Sequence, residues 1–159
     1  LLHYASDYTF FMAPYVNSYK RFQVGSFAPT RKVWSVDNRT AAFRLVGDNS
    51  PGVRFECRVP GADVNPYLAI AGMLAAGLAG IEEKIEPPAP MVGDAYEGDA
   101  EHIPTTLRDA IRALDASKML RAAFGDAVID HYTRAASWEQ EAFDAVVTDW
   151  EIARGFERA

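Results

Sequence analysis

The sequence predicts an α+β fold in which a small antiparallel sheet is backed by helices. Apolar residues alternate with charged ones from Val53 to Val59, which is the period of a strand with one polar face. Residues 67–81 are all apolar or glycine, and apolar residues recur at helical spacing after Thr105. A chain of 159 residues with 49% hydrophobic content is long enough to bury a core in such a fold.

The N-terminal stretch is predicted to be the interior or last turns of a helix. Residues 1–12 are mostly apolar and aromatic, and Pro14 ends the pattern because proline cannot continue a helix. The chain starts abruptly in this pattern without an initiating Met, so we expect it to be part of a longer polypeptide. The segment Phe22–Thr30 contains Gly25 and Pro29 and is expected to form a loop, either a mobile flap over a site or a plain connection.

A hairpin is predicted in the middle of the chain. Gly47–Gly52 has the composition of a turn, so Arg39–Val46 is expected to pair antiparallel with the strand that follows. In the register that places Arg44 opposite Arg54, one face of the hairpin shows a carboxylate among guanidinium groups. These residues are Arg44, Arg54, Glu56 and Arg58.

Two interpretations of this polar face are open from the pattern alone. It can be a solvated sheet surface with ion pairs, which are common and contribute little. It can instead be an anion site, because a guanidinium group matches two oxygens of a phosphate or a carboxylate. In the second case the lone Glu56 can hold a divalent metal against the same phosphates.

The apolar run is predicted to be the central core helix behind the hairpin. Asn65 is a suitable N-cap, Pro66 is a suitable first residue, and the helix is expected to end near Ile85. A helix that is apolar on every side must be buried, and glycines such as Gly72 and Gly80 allow close backbone approach. The run is shorter than the about 20 residues that a membrane span needs.

The C-terminal half is predicted to consist of an acidic surface loop, Glu86–Pro104, and outer helices. Apolar residues at helical spacing predict helices that stop at Gly125, followed by one long amphipathic helix from Asp126 to about Arg154. The default role of their apolar stripes is core packing.

Charge is distributed unevenly along the chain. The formal net charge is -6, yet residues 17–58 carry eight Lys and Arg against three Asp and Glu. A locally basic segment in an acidic protein suits a small anionic ligand better than nucleic acid, and no nucleic-acid-binding motif is present. Cys57 is the only cysteine and its strand position predicts a small buried hydrophobe, which is compatible with a reducing, cytoplasmic setting.

Four motifs occur in an order and spacing that resemble the C-terminal part of the glutamine synthetase family. They are N-S-Y-K-R at 17–21, W-S-V-D-N-R at 34–39, R-F-E-C-R at 54–58 and N-P-Y-L at 65–68. Together they favour the anion-site interpretation. The resemblance implies that residues 1–159 are the C-terminal portion of a catalytic domain, with an antiparallel sheet lined by active-site residues.

The resemblance implies roles in binding glutamate and in phosphoryl transfer. Arg21 resembles an arginine that helps to hold glutamate, and Arg58 resembles the one that binds its α-carboxylate. Arg39 resembles the arginine that stabilises the transferring phosphoryl group. Family members phosphorylate the γ-carboxylate of glutamate with ATP, and an amine then displaces phosphate to give an amide.

The resemblance also implies nucleotide and metal contacts. Arg44 and Arg54 resemble contacts to the nucleotide phosphates, and Glu56 resembles a ligand of the second divalent metal, Mg2+ or Mn2+. The family's first metal site, most of its second, its adenine pocket and its N-terminal domain would all precede Leu1. Family active sites form between subunits of a homo-oligomeric ring, so we expect the 159-residue chain to be inactive alone.

Phe27 bears on the acceptor. Members that use ammonia carry a glutamate at this loop position, because an ammonium ion needs a carboxylate that binds it and takes its proton. An aromatic residue favours an amine with an alkyl chain. Residues 22–30, 37–40 and 61–68 resemble the γ-glutamylpolyamine synthetase branch.

The other functions considered are glutamine synthetase itself and a catalytically silent assembly protein. Tyr96 lies where some bacterial members carry a regulatory tyrosine, but its surroundings do not match that site. It is therefore expected to be ordinary surface.

Overall fold

The computed structural model describes residues 1–158 and contains a three-stranded sheet and six α-helices. The strands are β1 (Trp34–Val36), β2 (Phe43–Val46) and β3 (Arg54–Cys57). The helices are α1 (Thr9–Met12), α2 (Pro66–Glu82), α3 (Leu107–Ala116), α4 (Lys118–Phe124), α5 (Asp126–Asp144) and α6 (Asp149–Arg158), with a 3-10 helix at Val16–Arg21. The predicted α+β class is confirmed.

The predicted hairpin is β2 and β3, which pair antiparallel, while β1 pairs parallel with β2 and makes the sheet mixed. The predicted register is wrong by two residues, because Arg44 lies opposite Glu56 and Arg54 lies opposite Val46. Two short turns, in which Ser50 N donates to Gly47 O and Val53 N to Ser50 O, widen the connection. A shift of two residues keeps each side chain on its predicted face.

The core lies between the N-terminal segment and the C-terminal helices. Turns precede the short helix α1, which ends before Pro14 as predicted. The Phe11 ring meets Phe124 and Tyr132 edge to face, with centroids 5.9 Å apart in both pairs. The largest fully buried side chains include Tyr8, Met12, Leu107, Leu114, Leu120 and Ile129.

Helix α2 begins as predicted, since Asn65 Oδ1 accepts from the backbone N–H of Tyr67 at 3.0 Å. The prediction of complete burial is wrong. The helix packs against α1 and α4 rather than behind the hairpin, through a face that contains Ala69, Gly72 and Ala76. Its opposite face is exposed and carries Tyr67, Ile70, Leu74, Leu78 and Ile81. A helix that is apolar all round lacks the polar stripe that would have indicated the solvent side.

The predicted role of the α2 glycines holds at Gly72 but not at Gly80. A Cβ at Gly72 would lie 3.0 Å from Phe11 Cδ2, so the close approach requires glycine there. Nothing lies within 4 Å of a Cβ at Gly80. Among the described helices, none is long and apolar enough to cross a membrane.

The long C-terminal helix of the prediction is two helices, α5 and α6. Thr148 and Glu151 form a cap between them, in which Glu151 Oε2 accepts from Thr148 N at 2.8 Å and Thr148 Oγ1 accepts from Glu151 N at 3.3 Å. This Thr-x-x-Glu pattern is a sequence signature of a helix start. It interrupts the amphipathic spacing that the prediction followed.

The 86–104 segment has no helix or strand, as predicted, but it is not only a surface loop. Tyr96 is buried and its hydroxyl donates to the carbonyl of Ala28 at 3.0 Å. The expectation that Tyr96 is ordinary surface is therefore wrong. Its acidic neighbours Asp94 and Glu97 are exposed, and a single buried aromatic among acidic residues leaves no periodic pattern to detect.

Candidate active site

A chain of alternating charges runs across the polar face of the sheet. Glu56 on β3 accepts a hydrogen bond from Arg44 Nη1 at 3.2 Å through one oxygen and from Arg58 Nη1 at 2.9 Å through the other. Arg44 Nε also donates to Asp37 Oδ1 at 3.0 Å. Asp37 and then Glu56 raise the pKa of the Arg44 guanidinium, because both carboxylates bind its charged form.

Arg58 lies at the centre of the site and binds three groups at once. Its Nη1 binds Glu56, its Nε donates to the Arg39 carbonyl at 3.0 Å, and its Nη2 donates to the Phe27 carbonyl at 3.0 Å. The side chain is only 15% exposed, so it is held by protein groups on several sides. Donors of a guanidinium group that these contacts leave unused can still receive a ligand carboxylate.

Arg39 and Arg54 are the exposed arginines of the site. The Arg39 guanidinium makes no hydrogen bond to the described part of the chain. The backbone carbonyl of Arg39 accepts a hydrogen bond from Arg58. Arg54 donates from Nη1 to the Gly52 carbonyl of its own turn at 3.0 Å. Both guanidinium groups are therefore accessible to an anion in solvent.

Arg21 approaches the same region from the 3-10 helix. Its Nη2 donates to the carbonyl of Val59, the residue that follows Arg58, and its Cζ lies 4.9 Å from the Phe22 ring centroid. Burial lowers the pKa of Arg21, and the nearby carboxylate of Asp63 opposes that shift. Asp63 is in turn held by Ser18, whose Oγ donates to Oδ2 at 2.5 Å.

The 22–30 loop adjoins the site through Phe27. The Phe27 side chain is exposed, and its backbone has a φ of 58°, in the left-handed region that non-glycine residues rarely adopt. The loop contains no Asp or Glu. A cation that approached Phe27 would meet an aromatic ring without a carboxylate from this loop.

The structure thus brings most of the predicted site residues together. Glu56 joins Arg44 and Arg58 through side chains, while Arg39 and Phe27 join Arg58 through their carbonyl groups. Arg54 lies apart, at the opposite end of β3 from Arg58. Sequence reasoning missed three residues near these arginines. Asp37 binds Arg44, the Asp63 carboxylate lies near Arg21, and Ser18 holds Asp63. Asp37 and Ser18 lie inside the motifs at 34–39 and 17–21, which was a signal available from the sequence.

The described residues do not form a complete metal site. Within residues 1–158, no three His, Cys, Asp or Glu side chains are placed to hold one ion together. Glu56 can offer a carboxylate oxygen, but both of its oxygens are bound by guanidinium groups. A divalent ion prefers several oxygen ligands, so the others would have to come from outside these residues.

Cys57 does not take part in this chemistry. It is half-buried, and burial raises the pKa of its thiol to about 11, although a hydrogen bond with the Val59 backbone lowers it in part. The thiol is therefore protonated at neutral pH. This agrees with its expected role as a small apolar residue.

Comparison with known proteins agrees with the geometry. Residues 1–155 match the family described as glutamine synthetase, catalytic domain. A gamma-glutamylethanolamide synthetase from Streptomyces coelicolor is 55% identical over 152 residues, which cover 96% of this chain and 33% of that protein. Type-1 glutamine synthetase 2 from Dictyostelium discoideum is 39% identical over 152 residues, which cover 92% of this chain and 29% of that protein.

A solved structure has a similar fold. It is a GmaS/ADP complex, which has a TM-score of 0.87 with this chain at 31% identity and covers 99% of this chain. The match covers 38% of the GmaS chain. The chain therefore spans about a third of the length of the proteins it matches.

Proposed function

Because the chain belongs to the glutamine synthetase family, we propose that it carries part of the active site of an ATP-dependent glutamate-amine ligase. Enzymes of this family use ATP and divalent metals, and they join glutamate to ammonia or to amines. In the proposed reaction, an oxygen of the glutamate γ-carboxylate attacks the γ-phosphorus of ATP and releases ADP. The amine nitrogen then attacks the γ-glutamyl phosphate, loses a proton and releases phosphate.

The two exposed arginines suit the phosphoryl step. Arg39 is proposed to stabilise the transferring phosphoryl group, because its guanidinium is exposed and is not engaged by the described residues. Arg54 and Arg44 are proposed to contact the nucleotide phosphates. Arg44 is held toward the sheet by two carboxylates, so it would act as a fixed charge rather than a mobile one.

Two partly buried arginines suit the glutamate substrate. Arg58 has donors left over after its three protein contacts, and we propose that these bind the α-carboxylate. Arg21 is desolvated and is held through Val59 beside Arg58, which supports a role in binding the same substrate. Glu56 is proposed as one ligand of Mg2+ or Mn2+, and the remaining ligands are proposed to come from other parts of the complete protein.

We propose that residues 1–159 are the C-terminal portion of the catalytic domain of a longer polypeptide. The proposal is supported by the match of about a third of each relative. A homo-oligomeric ring in the cytoplasm is the proposed state of that polypeptide. The chain alone is then expected to be inactive, since it lacks a complete metal site within the described residues.

The observation that carries the choice of acceptor is the loop around Phe27. It holds an exposed aromatic ring and no acidic residue, so it suits an alkylamine better than ammonium. Similarity supports the same choice, because identity is 55% to the ethanolamide synthetase and 39% to the glutamine synthetase. The proposed acceptor is a primary alkylamine, with a polyamine such as putrescine or an amino alcohol such as ethanolamine as the candidates.

The test is phosphate release by the full-length protein with ATP, Mg2+ and glutamate. Putrescine, ethanolamine and ammonium are compared as acceptors at matched concentration. Turnover with either alkylamine and little with ammonium is the expected result. Preference for ammonium would instead establish glutamine synthesis, the alternative that the Dictyostelium relative favours. Absence of turnover with all three would favour a catalytically silent member.

A further inference from the structure

We propose that Tyr96 is a positioning residue for the acceptor end of the site, a role that rests on the proposed ligase function. Tyr96 belongs to the acidic 86–104 segment, and its carbonyl accepts from Arg31 Nε at 3.4 Å. Its buried hydroxyl donates to the carbonyl of Ala28 at 3.0 Å. Ala28 directly follows Phe27, the residue proposed to face the amine.

Two consecutive carbonyl groups of the 22–30 loop are thus held from two sides. The carbonyl of Phe27 accepts from Arg58 Nη2 at 3.0 Å, and the carbonyl of Ala28 accepts from Tyr96. Between Phe22 and Ala28 the other hydrogen bonds are local, such as that from Ser26 Oγ to the Gln23 carbonyl at 2.6 Å. At the end of the loop, the Thr30 carbonyl accepts from Ile103 N at 3.1 Å. Arg58 and Tyr96 therefore hold the backbone at Phe27 and Ala28, whereas Ile103 holds the end of the loop at Thr30.

The backbone of Phe27 explains why two contacts are needed. A phenylalanine at a φ of 58° is strained, and such a conformation persists only where its surroundings hold it. If one of the two carbonyls is released, the loop can relax to an unstrained conformation and its aromatic ring moves. The ring position, and with it the fit of the amine, then depends on the Tyr96 hydroxyl.

The residues just before Tyr96 are hydrogen-bonded to the neighbours of Arg39, the residue proposed to stabilise the phosphoryl group. The preceding residue, Ala95, donates its N–H to Thr40 Oγ1 at 3.0 Å, and Asn38 Nδ2 donates to the Gly93 carbonyl at 2.7 Å. Asn38 and Thr40 flank Arg39. The 93–96 segment therefore connects the backbone around Arg39 with the loop that carries Phe27, in addition to the link that Arg58 makes between the Arg39 and Phe27 carbonyls.

The test is Tyr96→Phe in the full-length protein, which deletes the hydroxyl and keeps the buried ring. Tyr8→Phe is the matched control, because the Tyr8 hydroxyl also donates to a backbone carbonyl, that of Leu1 at 3.2 Å. We expect hydrogen exchange of the 22–30 amides to rise about three- to tenfold in Tyr96→Phe alone, as the loss of one hydrogen bond predicts. The KM for the amine should rise severalfold while the KM for glutamate stays constant.

Two outcomes would overturn the proposal. In one, exchange of the 22–30 amides in Tyr96→Phe equals that of the wild type. In the other, exchange rises evenly through the whole protein, as general destabilisation would produce. The exchange measurement does not depend on enzyme activity, so it tests the role of Tyr96 directly. If the proposed ligase function is wrong, the wild-type protein is itself inactive, and the two failures can be distinguished.

Discussion

Arg44 and Glu56 lie directly opposite each other on β2 and β3, and Arg44 Nη1 is 3.2 Å from Glu56 Oε2. Across an antiparallel pair such neighbours are in contact, so the carboxylate is held where the arginines converge. The pairing explains how Glu56 can lie on a face that carries three arginines. It also means that a metal at Glu56 would have to share that carboxylate with two guanidinium groups.

Replacement of Glu56 is expected to abolish metal-dependent activity. In Glu56→Gln the full-length protein should bind Mn2+ at least about tenfold more weakly, because an anionic oxygen ligand is lost. Titration of Mn2+ by calorimetry measures this. Glu101→Gln is the control. Glu101 lies outside the site, and its Oε2 is 2.9 Å from Lys32 Nζ. Unchanged Mn2+ affinity in Glu56→Gln would remove Glu56 from the ligand set.

Phe27→Glu is expected to shift the acceptor from alkylamine toward ammonium. A carboxylate at this exposed position can bind ammonium and take its proton, which together can raise kcat/KM for ammonium by about a hundredfold. Steady-state phosphate release with each acceptor measures the ratio. Phe27→Gln is the control, because glutamine has the size of glutamate without its charge. This variant should not gain kcat/KM for ammonium. A gain of equal size in both variants would mean that loss of the ring, rather than the new charge, admits ammonium.

Leu120 is expected to contribute far more to stability than Leu78, although both are helical leucines. Leu120 is 0% exposed in α4, so Leu120→Ala should lower the free energy of unfolding by about 2–5 kcal/mol. Leu78 is 67% exposed on α2, and Leu78→Ala should change the free energy of unfolding by no more than about 0.5 kcal/mol. Urea denaturation of both variants gives the comparison. Similar losses would show that the outer face of α2 is covered in solution.

The thiol of Cys57 is expected to react slowly near neutral pH. Its pKa is raised to about 11 from an ordinary value of 9.0, so the thiolate that attacks iodoacetamide is scarce. The alkylation rate of the folded protein should rise with a midpoint near pH 11, against a midpoint near 9.0 in urea. Since folding favours the protonated thiol, this contribution to stability is complete below pH 9.0 and declines as the pH rises toward 11. A midpoint near 9.0 in the folded protein would contradict the burial of Cys57.

The local patterns of the sequence predicted the elements of the site well. Alternation in residues 53–59 identified β3 and the polar face, because side chains of a strand alternate strictly between two sides. The predicted polar face was correct although the predicted register was wrong by two residues, because a shift of two keeps each side chain on the same side of the sheet. The cap at Asn65 and the stop at Gly125 were also correct, since both depend on chemistry between near neighbours in the chain.

Features that depend on distant contacts were not predictable from those patterns. The exposed face of α2 could not be distinguished from its buried face, because both are apolar. Tyr96 contacts Ala28 across a long sequence separation, and nothing local to either residue indicates the other. The parallel pairing of β1 with β2 likewise depends on tertiary contacts rather than on the composition of either strand.

The contacts of Arg44 and Arg58 have a consequence for the thermodynamics of substrate binding. A free arginine side chain carries about 2 kcal/mol of rotamer entropy, which is lost when the side chain is immobilised. Asp37, Glu56 and two backbone carbonyls already immobilise these two guanidinium groups within the folded chain. That entropy is lost during folding, so an anion that binds to either arginine meets a preorganised guanidinium group and loses less affinity to the ordering of side chains.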